Sequence, residues 1–315
     1  MDTASGPFTC IKTYIWTIRY HVSIIVFLSL IWTMLPVESY ESSAIPLNLR
    51  DHKASIAIFW SVMVGSNSAL PLALYFGMRY NTSLSLQIII SITTAITGVP
   101  PLWSWFWRSY RQVTNENLRL VGVRNRWAFD TLGWNLHVGV SYLSALLVCA
   151  CTFSPYVRLF SLMLPLIMIQ ICLQLLVVEI CYKLGWRTPF RISSVPAGSG
   201  FPPGVVVIAE DACAVDGRLG SDFRRAIHQR IAVSRPLNHA VRCLDWLWGS
   251  SGLIIGGAIV VVIFVVENAE CGLIIGKAPH ALMRSINFSW ILFFFSIHSP
   301  LGLGRGHDIV YRILD

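Results

Sequence analysis

Charged residues are scarce in this sequence, and that scarcity decides its class. Only 13% of the 315 residues are Asp, Glu, Lys or Arg, against 55% hydrophobic ones, and mean hydropathy is +0.61. A water-soluble globule of this length needs more charge to cover its surface, so the surplus apolar surface is expected to face lipid. Familiar catalytic signatures are missing as well. There is no P-loop, dinucleotide fingerprint, HExxH, GxSxG, CxxCH or paired DDxxD cluster in a convincing setting, so no cofactor is expected. The eight cysteines form no CxxC pair, which argues against a disulfide scaffold or a zinc site. Cys149, Cys151, Cys172 and Cys181 lie in or at the ends of apolar runs and read as small buried hydrophobes. A net charge of +8 spread over short loops does not make a nucleic-acid groove, and the first apolar stretch lacks a small-residue cleavage pattern after it.

What the sequence does contain is long apolar windows. A bilayer core of about 30 Å needs roughly 20 apolar residues per helix, and windows at 15–36, 54–78, 84–107, 128–151, 159–181, 250–268 and 279–298 meet that need. The expected fold is an all-α polytopic transmembrane bundle of about seven spans, forming one integral membrane domain over 1–315. Basic residues set its orientation. Arg108, Arg111, Arg119, Arg124 and Arg126 fall between the third and fourth windows, and Lys183, Arg187, Arg191, Arg218, Arg224, Arg225, Arg230, Arg235 and Arg242 between the fifth and sixth. Both segments are expected on the cytosolic side, with the N-terminus outside and the C-terminus inside. Pro100 and Pro101 should kink the third span or end it early, with smaller effects at Pro71 and Pro165. Gly252 and Gly256 form a GxxxG spacing that lets a second helix approach closely.

The segment 182–249 is the one stretch large enough to fold outside the bilayer. It opens with Pro, Gly and Ser residues that shape a loop, then carries Glu210, Asp211 and Asp216 as a motif of unassigned role. At α-helical spacing Asp211 shares a face with Val215, so one surface collects only some of these acids. Ser221 and Asp222 then open an amphipathic helix, broken near Pro236. It is expected at the interface, with Arg224, Arg225 and Arg230 toward lipid headgroups and the apolar face toward membrane or bundle.

Ionisable residues inside spans are costly and face the protein interior. Asp130 and Glu179 lie at matching depths near the cytosolic ends of the fourth and fifth windows. Trp134 and His137 follow Asp130 at helical spacing on one face. These four residues are candidates to line a cavity opening beneath the Glu210 to Asp216 loop. The competing reading solvates Asp130 and Glu179 beside neighbouring cations and leaves His137 a neutral side chain bonded to a carbonyl.

The run AEDACAVDGRLGSDFRRAIHQRIAVS at 209–234, followed by the tryptophan-bearing WLWGSSGLIIGGAIV, resembles filamentous-fungal multispan membrane proteins associated with indole-diterpene and related secondary-metabolite biosynthesis. The resemblance implies a membrane protein of such a pathway, located in the endoplasmic reticulum, with a terpene-cyclase role for some members. It places Glu210, Asp211 and Asp216 on the group's acidic loop. The ending HSPLGLGRGHDIVYRILD departs from that group's charged tail. On this reading a carboxylic acid, Asp130 or Glu179, protonates a lipophilic isoprenoid intermediate, and Trp134 faces the resulting cation. The alternative is a non-enzymatic accessory protein that holds pathway enzymes at the bilayer or moves an intermediate.

Overall fold

Prolines and small polar caps set where the helices begin. Pro71 lies near the start of α1 (Leu70–Asn81), which continues directly from two π-helical residues, Ser68 and Ala69. The Ser85 side chain accepts from the Ile88 amide to start α2 (Leu86–Thr114), and Ser234 does the same for Leu237 at the start of the longest helix, which carries Pro236 in its first turn. The computed structural model describes residues 68–277 apart from 124 and 153–155, all within the unit Ser42–Lys277. Among them the order continues with a 3-10 turn at Glu116–Leu118, α3 (Thr131–Thr152), α4 (Val157–Ser161) and α5 (Met163–Lys183). Then come α6 (Gly204–Asp211), a π-helical turn at Ala212–Asp216, α7 (Gly220–Val233), α8 (Arg235–Val265) and α9 (Ala269–Lys277).

Among the described residues the regular elements are all helical, and the 184–203 loop adds two isolated bridges, Arg187 with Gly200 and Ile192 with Val195. Among the described residues four helices, α2, α3, α5 and α8, are long and apolar enough to cross a membrane. They match the third, fourth, fifth and sixth of the seven expected windows. The first and seventh windows lie outside the described residues, as does the start of the second, whose end forms α1.

Two boundaries differ from expectation. α2 runs unbroken through Pro100 and Pro101; in an apolar surrounding, opening the helix would strand more backbone groups than the two prolines already do. α8 begins at Arg235, well before the expected 250, because Ser234 and Pro236 start a helix there that the following residues have no reason to stop. Pro165 sits in the first turn of α5, just past the short α4, so it marks a helix start and not an internal kink.

The glycine spacing of α8 is its contact with α5. A Cβ on Gly249 would fall 2.6 Å from Leu176 Cγ, one on Gly256 2.7 Å from Ile169 Cγ1, and one on Gly252 would overlap Cys172 Sγ. Gly252→Val therefore forces α5 and α8 apart, and should lower stability by about 1–3 kcal/mol as an overpacked site does; the thermal midpoint of the detergent-solubilised protein reads it. At one end of the bundle Tyr75, Ile89, Ile90, Val157, Phe160 and Leu273 form an apolar core, and Arg158 donates to the carbonyls of Phe264 in the last turn of α8 and of Val266 and Glu267 just beyond it. The opposite end carries the charges.

Candidate functional site: a buried acidic cluster

Asp130 precedes α3 and caps it, its Oδ1 accepting from the Gly133 amide at 2.7 Å. Its Oδ2 accepts from Arg108 on α2 at 2.7 Å and from Arg224 on α7 at 3.1 Å. Gly133 is required at that cap, since a Cβ there would sit 2.9 Å from Asp130 Oδ1. Arg108 reaches on to Asp216 and to the Asp211 carbonyl, and Arg111 stands 3.6 Å from Asp216.

Arg224 is the hub. Fully buried, it donates to Glu210 at 2.8 Å and Asp211 at 2.6 Å as well as to Asp130. Asp211 Oδ2 also accepts from the Leu132 amide at 3.0 Å and the Ser193 hydroxyl at 2.6 Å. Ser193 adopts a positive φ of 45° that points its hydroxyl between Asp211 and Thr131. Glu210 accepts from Ser194 and lies 2.6 Å from His228 Nε2, whose side chain is 28% exposed and so connects the cluster to the surface.

Four carboxyls, Asp130, Glu210, Asp211 and Asp216, thus face three guanidiniums and the His228 ring. Burial opposes the charge of Glu210, but His228, Arg224 and Ser194 together hold its carboxyl below the ordinary range. Burial pushes Asp211 up to about 7, and the neighbouring Asp130 charge adds to the rise against the pull of Arg224. Arg224 is held charged: burial alone would weaken it, but Asp211, Glu210 and Asp130 more than compensate.

The linkage sign follows from Asp211. Between its ordinary 3.8 and about 7 the folded state binds more protons than the unfolded one, so stability falls as pH rises through that window. Glu210 acts oppositely, but its contribution is complete above its unfolded 4.5 and is lost only as pH falls through its depressed folded value. Thermal midpoints are therefore expected to decline from pH 5 to pH 7, and Asp211→Asn should flatten that decline.

Of the expected site residues, the structure brings Asp130 together with Glu210, Asp211 and Asp216. The π-turn is the reason. At α-helical spacing Asp211 pairs with Val215, but an i to i+5 turn, closed by Gly217 N donating to Ala212 O at 3.0 Å, swings Asp216 onto Arg108 instead. Glu179 joins a separate group: it accepts from Arg242 at 2.9 Å, and Arg242 also donates to the Phe201 carbonyl at 2.9 Å and lies over the Tyr182 ring. Nearby on α8, Asp245 accepts from the Gly204 and Val205 amides at 2.8 and 2.7 Å and so caps α6. No hydrogen bond or ion pair among the described residues joins Glu179 to Asp130.

His137 donates from Nδ1 to the Gly133 carbonyl at 2.6 Å, as the packing reading expects. It is also ringed by Trp105, Phe129 and Trp134 at centroid distances of 5.1, 4.9 and 5.7 Å. Trp134 itself is 58% exposed. The Gln112 side-chain amide is buried beside this region and has no hydrogen-bond partner at either atom.

Sequence reasoning missed Arg108, Ser193, Ser194, Arg224 and His228. Arg224 was expected at the headgroups; instead it lies on the buried stripe of α7 with Phe223 and Ile227. Its i+3 spacing to Ile227 places it on that stripe, but does not by itself say what the stripe packs against. No group of His, Cys, Asp and Glu among the described residues is arranged to hold a metal.

The family model described as a domain of unknown function, DUF8766, matches residues 12–293, and the chain belongs to that family. No curated protein and no solved structure matches it.

Proposed function

We propose that this member of the family is a multi-pass protein of the endoplasmic-reticulum membrane, with about seven spans, that acts on a lipophilic isoprenoid intermediate by proton transfer, as a cyclase or isomerase of secondary metabolism. The observation that carries this reading is the crowding of three fully buried carboxyls, Asp130, Glu210 and Asp211, around the guanidinium of Arg224 at the end of apolar helices. Carboxyls this close together in a buried setting oppose one another's charge, and burial with the Asp130 charge pushes Asp211 up to about 7; clustered, perturbed carboxyls are a mark of functional sites. Asp211 takes the role of proton donor in place of Asp130, because one guanidinium, Arg224, donates to the Asp211 carboxylate, whereas two, Arg108 and Arg224, donate to Asp130. Glu210 and His228 supply a route for proton exchange with water. The aromatic rings around His137 are suited to stabilise a cation formed on the lipid side.

The test is conversion of a polyprenyl or epoxyprenyl indole by microsomes carrying the intact protein, with no nucleotide or metal added. Unchanged substrate in the presence of well-folded protein overturns the enzymatic reading.

A second reading is favoured by the completeness of the same network. Every carboxylate in it already accepts from at least one protein donor, which suits a latch fastening the segment 184–234 to the ends of α2 and α3. The protein is then an accessory component whose outward α7 face, with Asp222 and Arg225 paired at 2.6 Å, meets pathway enzymes. Loss of co-purifying pathway enzymes on Arg225→Glu with Gln229→Ala, both outside the cluster, supports this; unchanged co-purification removes it.

Both readings require one topology. The two basic segments meet through Arg108 with Asp216 and Arg224 with Asp130, so they share a side. Cysteines introduced at Arg119 and Arg218, in a background without reactive native thiols, should be labelled only after permeabilisation, and one at Ser83 from the outer or lumenal side. Labelling of positions 119 and 218 from opposite sides would sink this arrangement.

A further inference from the structure

Beyond the end of α5 the chain does not dissolve into a polar loop. Thr188 N donates to the Ser199 carbonyl at 2.8 Å, Gly198 N returns to the Thr188 carbonyl at 2.7 Å, and Ile192 and Val195 exchange amide bonds at 3.0 and 2.9 Å. This folds residues 187–200 into a narrow loop whose base is buried: Cys181, Ile192, Phe201 and Val207 form a small apolar core there. The same loop leaves two aromatic side chains outside that core. Trp186 is 61% and Phe190 66% exposed, and a hydrogen-bonded loop gains nothing in water by presenting two large rings to it.

Between these rings and α5 lies a groove of about 490 Å³, lined by Val177 and Cys181 on one face of α5 and by Trp186, Arg187, Phe190 and Phe201 from the loop. The lining is apolar except at Arg187. That guanidinium is exposed and uses one nitrogen, Nη1, on the Gly198 carbonyl at 3.1 Å. A groove that is apolar along its length, walled by amphipathic aromatics and ended by a single exposed guanidinium has the polarity profile of one lipid molecule. Its tail would replace water on Val177, Cys181 and Phe201, its glycerol region would lie against Trp186, and its anionic headgroup would meet Arg187.

We propose that this groove is a binding site for an anionic phospholipid, which holds the 187–200 loop in the membrane interface. The inference rests on the membrane-spanning reading of α5 but not on any catalytic one. The charge of Arg187 selects an acidic headgroup over a zwitterionic one, and the narrow loop gives the site a fixed wall that an ordinary lipid-facing helix lacks. Because the groove floor includes Phe201, whose carbonyl accepts from Arg242 in the Glu179 ion pair, lipid occupancy also steadies the start of α6 through the neighbouring Asp245 cap.

The experiment uses the full chain reconstituted into discs of phosphatidylcholine, alone or with phosphatidylserine, each lipid in turn carrying a photoactivatable acyl chain. Cross-linked peptides are mapped, and retained lipid is weighed by native mass spectrometry. Cross-links concentrated in residues 177–201, with phosphatidylserine retained over phosphatidylcholine, are expected. Arg187→Gln should cut the phosphatidylserine preference roughly fivefold while leaving the cross-link position unchanged. Val177→Trp, which fills the groove without altering charge, should remove the cross-links. Equal retention of both lipids, cross-links spread evenly over the lipid-facing helices, or protein–protein cross-links showing a segment of the chain in the groove would each overturn the proposal. Failure of the membrane reading itself has a different signature, because the protein would then be released by alkaline carbonate before any lipid is tested.

Discussion

Arg224→Met is expected to remove almost all folded protein from the membrane fraction. Methionine matches much of the arginine's volume, so the loss is one of charge and donors more than of packing. Glu210 and Asp211 each lose a guanidinium bond, at 2.8 and 2.6 Å, and Asp130 loses one of its two arginines. All three carboxyls are fully buried. Breaking a buried ion pair by removing one partner costs about 3–5 kcal/mol, because the stranded charge keeps its desolvation penalty without its compensation; that is a large part of the 5–15 kcal/mol by which a typical domain is stable. Arg224→Lys should recover little, since one ammonium cannot present the guanidinium's planar fork to three carboxyls at once. Adding Asp211→Asn to Arg224→Met should restore part of the yield by removing one of the stranded charges. Fluorescence-detected size exclusion of detergent extracts measures all three variants, and a wild-type profile for Arg224→Met would show that the network does not hold the segment to the bundle.

Asp211→Asn alone is the largest expected effect on activity. The substitution keeps the size and one carbonyl acceptor but removes the proton that the proposed function assigns to Asp211, and it also relieves the crowding of acids around Arg224. Folding should therefore survive, with a flatter pH profile. Conversion of a supplied epoxyprenyl indole should fall by about 10²–10⁴, the usual contribution of a positioned general acid. Glu179→Gln should behave differently. It weakens the Arg242 pair at 2.9 Å but leaves the Asp211 cluster whole, so any loss of conversion should follow the loss of folded protein. Asp211→Asn with unchanged conversion would assign the cluster wholly to structure and leave the accessory reading in place.

Much of this arrangement was written in local sequence. Apolar windows located α2, α3, α5 and α8 because a helix that buries its backbone in an apolar surrounding needs only length and composition. Gly252 and Gly256 announced a close helix approach because only a missing Cβ permits one. The carbonyl bond of His137 is one of two readings its sequence position allows, and the Gly133 carbonyl one turn back accepts it. Boundaries were less legible: Pro236 reads as a break until the Ser234 cap shows it to be a beginning.

What the sequence by itself determined is the class of the molecule and the identity of its unusual acids, since composition, hydropathy and the presence of Asp130, Glu179, Glu210, Asp211 and Asp216 do not depend on the fold. What only the tertiary structure decided is which charges meet. Asp130 finds Arg224 across 94 positions of sequence, Asp216 reaches Arg108 only through a π-turn that α-helical periodicity does not foresee, and Glu179 turns away to Arg242. The physical reason is that a buried ion pair is fixed by distance in space and by the desolvation that packing imposes. A local pattern records neither, so an arginine on an apolar stripe looks the same whether it ends at a lipid headgroup or at the centre of the protein.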